Sequence, residues 1–194
     1  MDTQPEGVCT GYVNSLSNLG VPRCAMWQYD GKKRPDFAVN PKAGEESVWD
    51  YPRPPRIEDD GREVIVRSPE GELVAKSFSA KRLCETASPP QFYLPLSDVV
   101  LSLLMLTPGD SFCEWKGRAR YWSLASGGQA VGWDYPDVNR SYAALKDHIA
   151  FYPGLMVCTV AGEAVTPQAG GFYGGWITRE LVGPFKGDPG TGHW

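Results

Sequence analysis

The sequence lacks the cysteine pairs and the histidines on which most protein metal sites depend. Its five cysteines are widely spaced and no two of them form a Cys-x-x-Cys pair, so neither a disulfide framework nor a zinc knuckle is indicated. It has only two histidines, His148 and His193, and a histidine-based triad or metal site would need both of them beside an acid. We therefore predict no metal, no cofactor and cysteines that stay reduced in the cytoplasm.

The sequence also lacks a surplus of basic charge, an export signal and a long apolar run. Its 19 Lys and Arg against 23 Asp and Glu give a net charge of −4, which argues against a nucleic-acid-binding surface spread over the whole protein. The N-terminus is polar and acidic, unlike a secretory signal. The longest nearly apolar run, residues 99–106, is far shorter than the roughly 20 residues that cross a bilayer. We expect a cytoplasmic monomer or homodimer without nucleic-acid or membrane partners.

Turn residues and aromatic side chains are abundant. The 194 residues include 22 Gly, 17 Pro, 7 Trp, 9 Tyr and 7 Phe. The Gly and Pro content stays below that of low-complexity disorder, and the aromatic side chains supply enough apolar surface for a core. The length suits one domain. Residues 1–46, which show no lasting periodicity, are predicted to be an irregular N-terminal arm, and residues 47–194 the domain. Trp27, Tyr29 and Phe37 predict that part of the arm packs on this domain.

Short alternating segments bounded by turn residues predict β-hairpins. The predicted hairpins pair residues 62–67 with 72–76, residues 111–115 with 118–122, and residues 155–160 with 163–166, and a further strand is predicted over residues 129–133. Two short helices are predicted over residues 97–106, where Ser97 and Asp98 can cap and Pro108 stops the helix, and over residues 141–147. The fold class is therefore mainly β.

A faint internal repeat is also present. The tetrapeptide Trp-Asp-Tyr-Pro at residues 49–52 recurs at residues 133–136, and residues 65–74 resemble residues 157–165. One interpretation is two related β units packed face to face. Chance similarity is the other.

Seven ordered blocks at compatible spacing carry a family resemblance. They are residues 47–55 (Ser-Val-Trp-Asp-Tyr-Pro-Arg-Pro-Pro), 85–86 (Glu-Thr), 93–95 (Tyr-Leu-Pro), 113–117 (Cys-Glu-Trp-Lys-Gly), 150–152 (Ala-Phe-Tyr), 170–178 (Gly-Gly-Phe-Tyr-Gly-Gly-Trp-Ile-Thr) and 182–187 (Val-Gly-Pro-Phe-Lys-Gly). Together they resemble the domain of unknown function 427 family in its cyanobacterial-style long form. The biochemical role of this family is not established.

The resemblance implies a β-tent-like fold, in which two small antiparallel sheets are pinned at one edge and splayed at the other. This fold is shared with zinc-binding exchange-factor-like proteins, B-type methionine sulfoxide reductases and the thalidomide-binding domain of cereblon. Many of these hold zinc through two Cys-x-x-Cys pairs, which this chain lacks. It also has Ala87 and Ser88 where the family often has Ser-His, so chemistry that needs that imidazole is not expected. A nucleotidyltransferase-like label is sometimes given to the family, but no glycine-rich loop with paired metal-binding carboxylates supports it here.

Two side chains are candidates for catalysis. The thiol of Cys113 lies in sequence beside Glu114 and near Lys116, and a nearby cation can lower a thiol pKa and activate the nucleophile. Alternation along a strand would separate Cys113 from Glu114, however, and place the thiol with Trp115 on one face. This pattern favours a buried packing thiol, and an enzyme using Cys113 or Glu114 remains an alternative.

The aromatic side chains suggest a binding pocket, because rings with polar tips line ligand sites as well as cores. The predicted ligand-binding residues are Glu85, Tyr93, Trp115, Lys116, Tyr121, Trp133, Tyr135, Tyr173 and Trp176. The leading hypothesis is a small-molecule-binding module of β-tent type. The alternatives are a filled aromatic core without a pocket, the enzyme above, and a protein-interaction adaptor that uses the arm or the glycine-rich C-terminal loop.

Overall fold

Strands make up most of the regular structure in residues 28–194, the part of the chain that this computed structural model describes. The strands are β1 (Glu46–Ser47), β2 (Arg56–Asp60), β3 (Val64–Arg67), β4 (Leu73–Ser77), β5 (Ala80–Cys84), β6 (Gln91–Pro95), β7 (Leu104–Cys113), β8 (Gly117–Leu124), β9 (Ala130–Asp134), β10 (His148–Phe151), β11 (Val157–Val160), β12 (Glu163–Ala164), β13 (Thr166–Pro167), β14 (Trp176–Ile177) and β15 (Leu181–Val182).

Two antiparallel sheets dominate the fold. The larger has seven strands in the order β2-β5-β6-β10-β9-β8-β7, and the smaller has four in the order β12-β11-β3-β4. Two small pairs complete the described part, antiparallel β13–β14 and parallel β1–β15. The mainly β prediction is confirmed. Among the described residues, no helix is both long and apolar enough to cross a membrane.

The three predicted hairpins are all present. Strand β3 pairs with β4, β7 with β8 and β11 with β12, each in antiparallel register. The predicted strand near residue 130 is β9, which pairs with β8 and β10. Turn chemistry and alternation thus located the turns of these hairpins, although β7 begins at Leu104, well before the predicted residue 111.

The two predicted helices form only as short 3₁₀ segments. Residues 97–106 contain Leu96–Asp98 and Leu101–Leu103, and the chain then enters β7. Between these turns Val99 bridges to Ala75, and the Val100 amide donates to the Val74 carbonyl oxygen at 2.8 Å. Pairing with β4 therefore replaces helical hydrogen bonds here. The second segment, Arg140–Leu145, is two 3₁₀ turns kinked at Tyr142.

The main core fills the space between the two large sheets. Alternation on β6 directs Phe92 and Leu94 into it, while the intervening Tyr93 points to the opposite face of the seven-stranded sheet. Trp176 is fully buried in this core, where its ring stacks on Phe92 at a centroid distance of 5.0 Å and its Nε1 donates to the Phe151 carbonyl oxygen.

An aromatic cluster contains two residues that precede the first strand, Tyr29 and Phe37. The rings of Tyr29 and Phe37 lie edge-on to Trp49 at 5.2 and 5.1 Å, and Trp194 stacks on Phe37 at 5.3 Å. The expected packing of arm aromatics is therefore seen for Tyr29 and Phe37. Trp27 and the arm before it lie outside the described residues.

The internal repeat does not produce two units packed face to face. The β3–β4 and β11–β12 hairpins lie side by side in the four-stranded sheet, because β3 pairs directly with β11. The two Trp-Asp-Tyr-Pro segments also pack in different clusters, with Trp49 beside Leu181 and Trp133 beside Tyr93.

Candidate functional site

A row of side chains crosses the outer face of the seven-stranded sheet. Tyr93 lies opposite Ala150, Ala150 opposite Trp133, and Trp133 opposite Tyr121. Opposing residues of antiparallel strands share a face, so the four side chains line up. Because Ala150 is small, the Trp133 indole reaches past it, and its Nε1 donates to the Tyr93 hydroxyl oxygen at 3.1 Å.

Lys116 lies over this row, although it is charged and only 5% exposed. Its Nζ donates to the Tyr93 hydroxyl oxygen and to Gln91 Oε1, both at 3.0 Å. The Tyr93 hydroxyl in turn donates to Gln91 Oε1 at 3.0 Å. Nζ also lies 5.5 Å from the ring centroid of Tyr93 and 5.1 Å from that of Tyr135, which are cation–π distances. We call Gln91, Tyr93, Lys116, Trp133 and Tyr135 the Lys116 site.

The charge of Lys116 has only neutral partners in the described part of the chain. No carboxylate of residues 28–194 lies within 4.0 Å of its Nζ. Amide and phenol dipoles together with two ring faces take the place of a counter-ion.

The turn between β7 and β8 holds Lys116 in place. The Asn139 amide donates to the Lys116 carbonyl oxygen at 2.9 Å, and Asn139 Nδ2 donates to the Trp115 carbonyl oxygen at 2.7 Å. Gly117 follows with a φ of 99°, and a Cβ there would lie 3.2 Å from the Asp137 carbonyl oxygen. Glycine at this position therefore lets the turn press against residues 137–139.

Burial raises the pKa of the phenols in and around the site further above neutral pH. Burial raises the pKa of Tyr93 and of Tyr135 far above the usual value, and it raises the pKa of Tyr142 and of Tyr152 to about 12. At neutral pH these hydroxyls can donate and accept hydrogen bonds, but they do not act as bases.

Four charged side chains form what we call the rim: Arg53, Glu85, Glu114 and Lys186. Arg53, whose side chain is 1% exposed, donates from Nε to Glu85 Oε1 at 3.0 Å. Burial raises the pKa of Glu114, and the nearby charge of Glu85 raises it further. Burial lowers the pKa of Lys186, with the charge of Arg53 acting in the same direction. The rim thus has two positive and two negative groups.

Residues 168–175, which we call the cover loop, lie against Trp133. A Cβ on Gly174 would fall 2.1 Å from Trp133 Cη2, so only glycine allows this approach. Gln168 fixes the loop, because its Oε1 accepts from the Gly175 amide at 3.1 Å and its Nε2 donates to the Lys186 carbonyl oxygen at 2.6 Å. The Tyr173 ring lies 5.8 Å from Lys186 Nζ, which places it beside the rim.

The structure brings together most of the residues that the sequence suggested. One cluster beside Lys116 contains Tyr93, Trp115, Tyr121, Trp133, Tyr135 and Cys113. The rim or its neighbourhood contains Glu85, Glu114 and Tyr173. Trp176 lies apart, in the core between the sheets. Sequence reasoning missed Gln91, Arg53, Lys186 and Tyr142. Gln91 could have been found, since it is two residues from Tyr93 on one strand and therefore on the same face.

The two catalytic candidates lie in different surroundings. Cys113 is the last residue of β7 and is partly buried against the aromatic cluster. Glu114 belongs to the turn that follows, where it is exposed toward the rim. No histidine, lysine or arginine of the described residues forms a hydrogen bond with the Cys113 thiol.

Metal-ligating side chains do not converge in residues 28–194. No group of three or more His, Cys, Asp or Glu there could hold a metal ion. Cys84, Cys113 and Cys158 are free thiols in three different clusters. Burial raises the pKa of Cys84 to about 12 and also raises that of Cys158.

A polar cavity of about 310 Å³ has none of the Lys116-site residues in its lining. It is lined by Glu46, Asp59, Asp60, Gly61, Arg62, Arg82 and Glu180. Arg62 pairs with Asp60 and Glu180, and Arg82 pairs with Glu46. Four carboxylates and two guanidinium groups line it, so the formal charge of the lining is −2.

Comparison with known proteins identifies the family of the chain. No curated protein matches the chain. A family model described as a domain of unknown function (DUF427), whose short name carries a nucleotidyltransferase label, matches residues 56–162. This match covers more than half of the chain and includes all five residues of the Lys116 site. The chain therefore belongs to the DUF427 family.

Proposed function

We propose that this protein is a small-molecule-binding module and that its ligand occupies an aromatic pocket at the Lys116 site. The observation that carries this proposal is the Lys116 ammonium, which is 5% exposed and held by Tyr93 and Gln91 without a carboxylate within 4.0 Å among the described residues. Glu85, Trp115, Tyr121 and Tyr173 complete the proposed surroundings of the ligand.

The alternative of a simple filled core explains the rings but not the polar groups. A core gains stability from apolar side chains in good packing, and a buried charge without a counter-ion lowers the stability of the fold. Here an ammonium, an amide, a phenol hydroxyl and an indole N–H meet in one network. A few polar groups converging among aromatic rings are typical of ligand sites.

The cover loop supplies the proposed entrance. Its glycines Gly170 and Gly171 have positive φ values of 92° and 57°, and Phe172 is 74% exposed. A shift of this segment away from Trp133 would open the site without disturbing a strand. The ligand would then lie between Trp133 and Tyr173, close to the rim.

The β-tent fold and a cytoplasmic location belong to the same proposal. Two antiparallel sheets that enclose one core support the fold assignment. Three free thiols in the described residues support a reducing compartment.

Native mass spectrometry of gently purified full-length chain tests the binding proposal. We expect a discrete mass above the 21.3 kDa of the chain that disappears on denaturation. Trp133→Phe should lose the added mass, whereas Trp122→Phe, on the opposite face of the sheet, should keep it. An absence of added mass, together with an amide spectrum that a metabolite extract leaves unchanged, would contradict the proposal.

A second candidate function is an enzyme that uses Glu114 as an acid. Partial burial and the charge of Glu85 raise the pKa of Glu114, and a raised pKa is the direction that a general acid requires. If the purified chain transforms the ligand found by mass spectrometry, Glu114→Gln should abolish turnover and leave ligand binding intact. Unchanged turnover in this variant would exclude the role.

A further inference from the structure

The hydrogen-bond partners of the Lys116 ammonium are all neutral. An ammonium group has three N–H donors. Gln91 Oε1 and the Tyr93 hydroxyl oxygen accept two of them at 3.0 Å, and the Tyr135 hydroxyl also interacts with the Lys116 side chain. These neutral groups orient the ammonium but do not cancel its charge, and a ligand that enters the site therefore meets a positive group without a carboxylate partner among the described residues.

The charges around the site form two groups. One is the rim, and the other, which we call the floor, is Lys116 with the rings beside it. The rim is neutral as a whole, because Arg53 and Lys186 balance Glu85 and Glu114. The floor has only the positive charge of Lys116, set between the rings of Tyr93 and Tyr135. A ligand that neutralises the site thus has one negative charge at its buried end.

The remaining surroundings of Lys116 are flat and apolar. Trp133 contacts Tyr152 at a centroid distance of 4.5 Å and lies edge-on to Tyr93 at 6.2 Å. Ring faces bind planar groups well by offset stacking or edge contacts. Both oxygens of a carboxylate could face the Lys116 Nζ while an attached ring lies among these side chains.

We propose that the Lys116 site binds small aromatic monocarboxylates and that the Lys116 ammonium pairs with the carboxylate. The proposal rests on the binding function proposed above and adds the chemical class of the ligand. It assigns recognition of the anion to Lys116 and recognition of the planar body to Trp133 and Tyr135.

Three small probes of the same shape and different charge test this assignment. The probes are 4-fluorobenzoate, the neutral 4-fluorobenzamide and the cationic 4-fluorobenzylamine, followed by ¹⁹F NMR titration of the full chain. We expect the benzoate to bind at least about tenfold more tightly than the benzamide, and the benzylamine to bind most weakly. Lys116→Met should remove this preference and Lys116→Arg should retain much of it. The exposed Lys146→Met is the matched control and should behave as the wild type.

The outcomes separate this proposal from the binding function. Equal binding of benzoate and benzamide, a preference for benzylamine, or a preference that survives Lys116→Met would overturn the carboxylate assignment. Absence of binding by all three probes would also overturn it. In each case a ligand retained in native mass spectra would leave the binding function standing. Absence of any such ligand would remove both.

Discussion

The indole Nε1 of Trp133 donates to the hydroxyl oxygen of Tyr93 at 3.1 Å. The bond crosses strand β10, where the small residue Ala150 lies between the two rings. This bond means that Tyr93 accepts from two donors, Trp133 and Lys116, and donates to Gln91. Tyr93 and Gln91 therefore keep hydrogen bonds to each other if Lys116 is removed. Replacing Lys116 therefore removes the positive charge of the network while the hydrogen bond between Tyr93 and Gln91 remains.

Lys116→Met should leave the ligand-free protein as stable as the wild type or more stable, by about 1 kcal/mol. The reason is that a buried charge is replaced by an apolar side chain of similar length, while Tyr93 and Gln91 still satisfy one another. Urea unfolding followed by fluorescence measures the difference, with the exposed Lys146→Met as control. A loss of several kcal/mol would show that Lys116 is a structural group.

Gly174→Ala should destabilise the fold by about 1–3 kcal/mol, because the added Cβ would overlap the Trp133 ring. Gly154→Ala is the matched control, since its Cβ would meet Pro167 at an ordinary contact distance of 3.6 Å. Thermal unfolding and the emission maximum of tryptophan report both changes. Equal stability of the two variants would argue against close packing of the cover loop on Trp133.

Gln168→Ala should loosen the cover loop. Gln168 is 5% exposed, and its removal takes away the hydrogen bonds that it forms with the Gly175 amide and with the Lys186 carbonyl oxygen. We expect a destabilisation of about 1–3 kcal/mol and faster hydrogen exchange confined to residues 168–187. The exposed Gln129→Ala provides the comparison. Unchanged exchange at Gly175 would contradict the role of Gln168.

Asp60 should contribute to acid stability. Burial acts to raise the pKa of Asp60, but hydrogen bonds from Arg62 outweigh it and hold the pKa below its usual value. A lowered folded-state pKa gives stability that is present above the unfolded value of about 3.9 and lost as pH falls through the folded value. Asp60→Asn should therefore be less stable than wild type at pH 7, and the difference should shrink below pH 4. A difference that is constant with pH would exclude this linkage.

Cys113 should react with iodoacetamide faster than Cys84 and Cys158 in the native protein. Cys113 is partly exposed, whereas the other two are buried and burial raises the pKa of each thiol. Peptide mapping after timed alkylation measures the order, and unfolded protein serves as the reference. Equal rates at the three thiols would contradict the burial seen here.

The strands could be predicted from sequence because their signals are local. The turn at Gly71 and the alternation on either side of it define the β3–β4 hairpin without reference to the rest of the chain. The helix predicted over residues 97–106 was wrong because Val99 and Val100 pair with β4, a contact that local propensity does not contain. Tertiary pairing outweighed a weak helical preference.

Most aromatic residues of the site could be predicted from the sequence, whereas several of the charged residues around it could not. Tyr93, Lys116 and Trp133 stood out by type. Sheet register brings Tyr93 and Trp133 together, and the turn between β7 and β8 places Lys116 beside them. Arg53 and Lys186 come from segments far apart in sequence, and only the folded chain places them beside Glu85. Trp176 also belongs to a conspicuous sequence motif, yet it lies in the core between the two large sheets and not at the site.

The pairing of β3 with β11 also bears on synthesis of the protein. Residues 64–67 pair with β4 on one side, but their partners on the other side are residues 157–160, so the β3–β4 hairpin leaves the ribosome long before the strand that covers its open edge. At typical translation rates the delay is about 5–20 s. During this interval Val64 and Val66, fully buried in the finished sheet, are unprotected. Chaperone demand in the cell should therefore depend on how quickly the ribosome reaches residue 160.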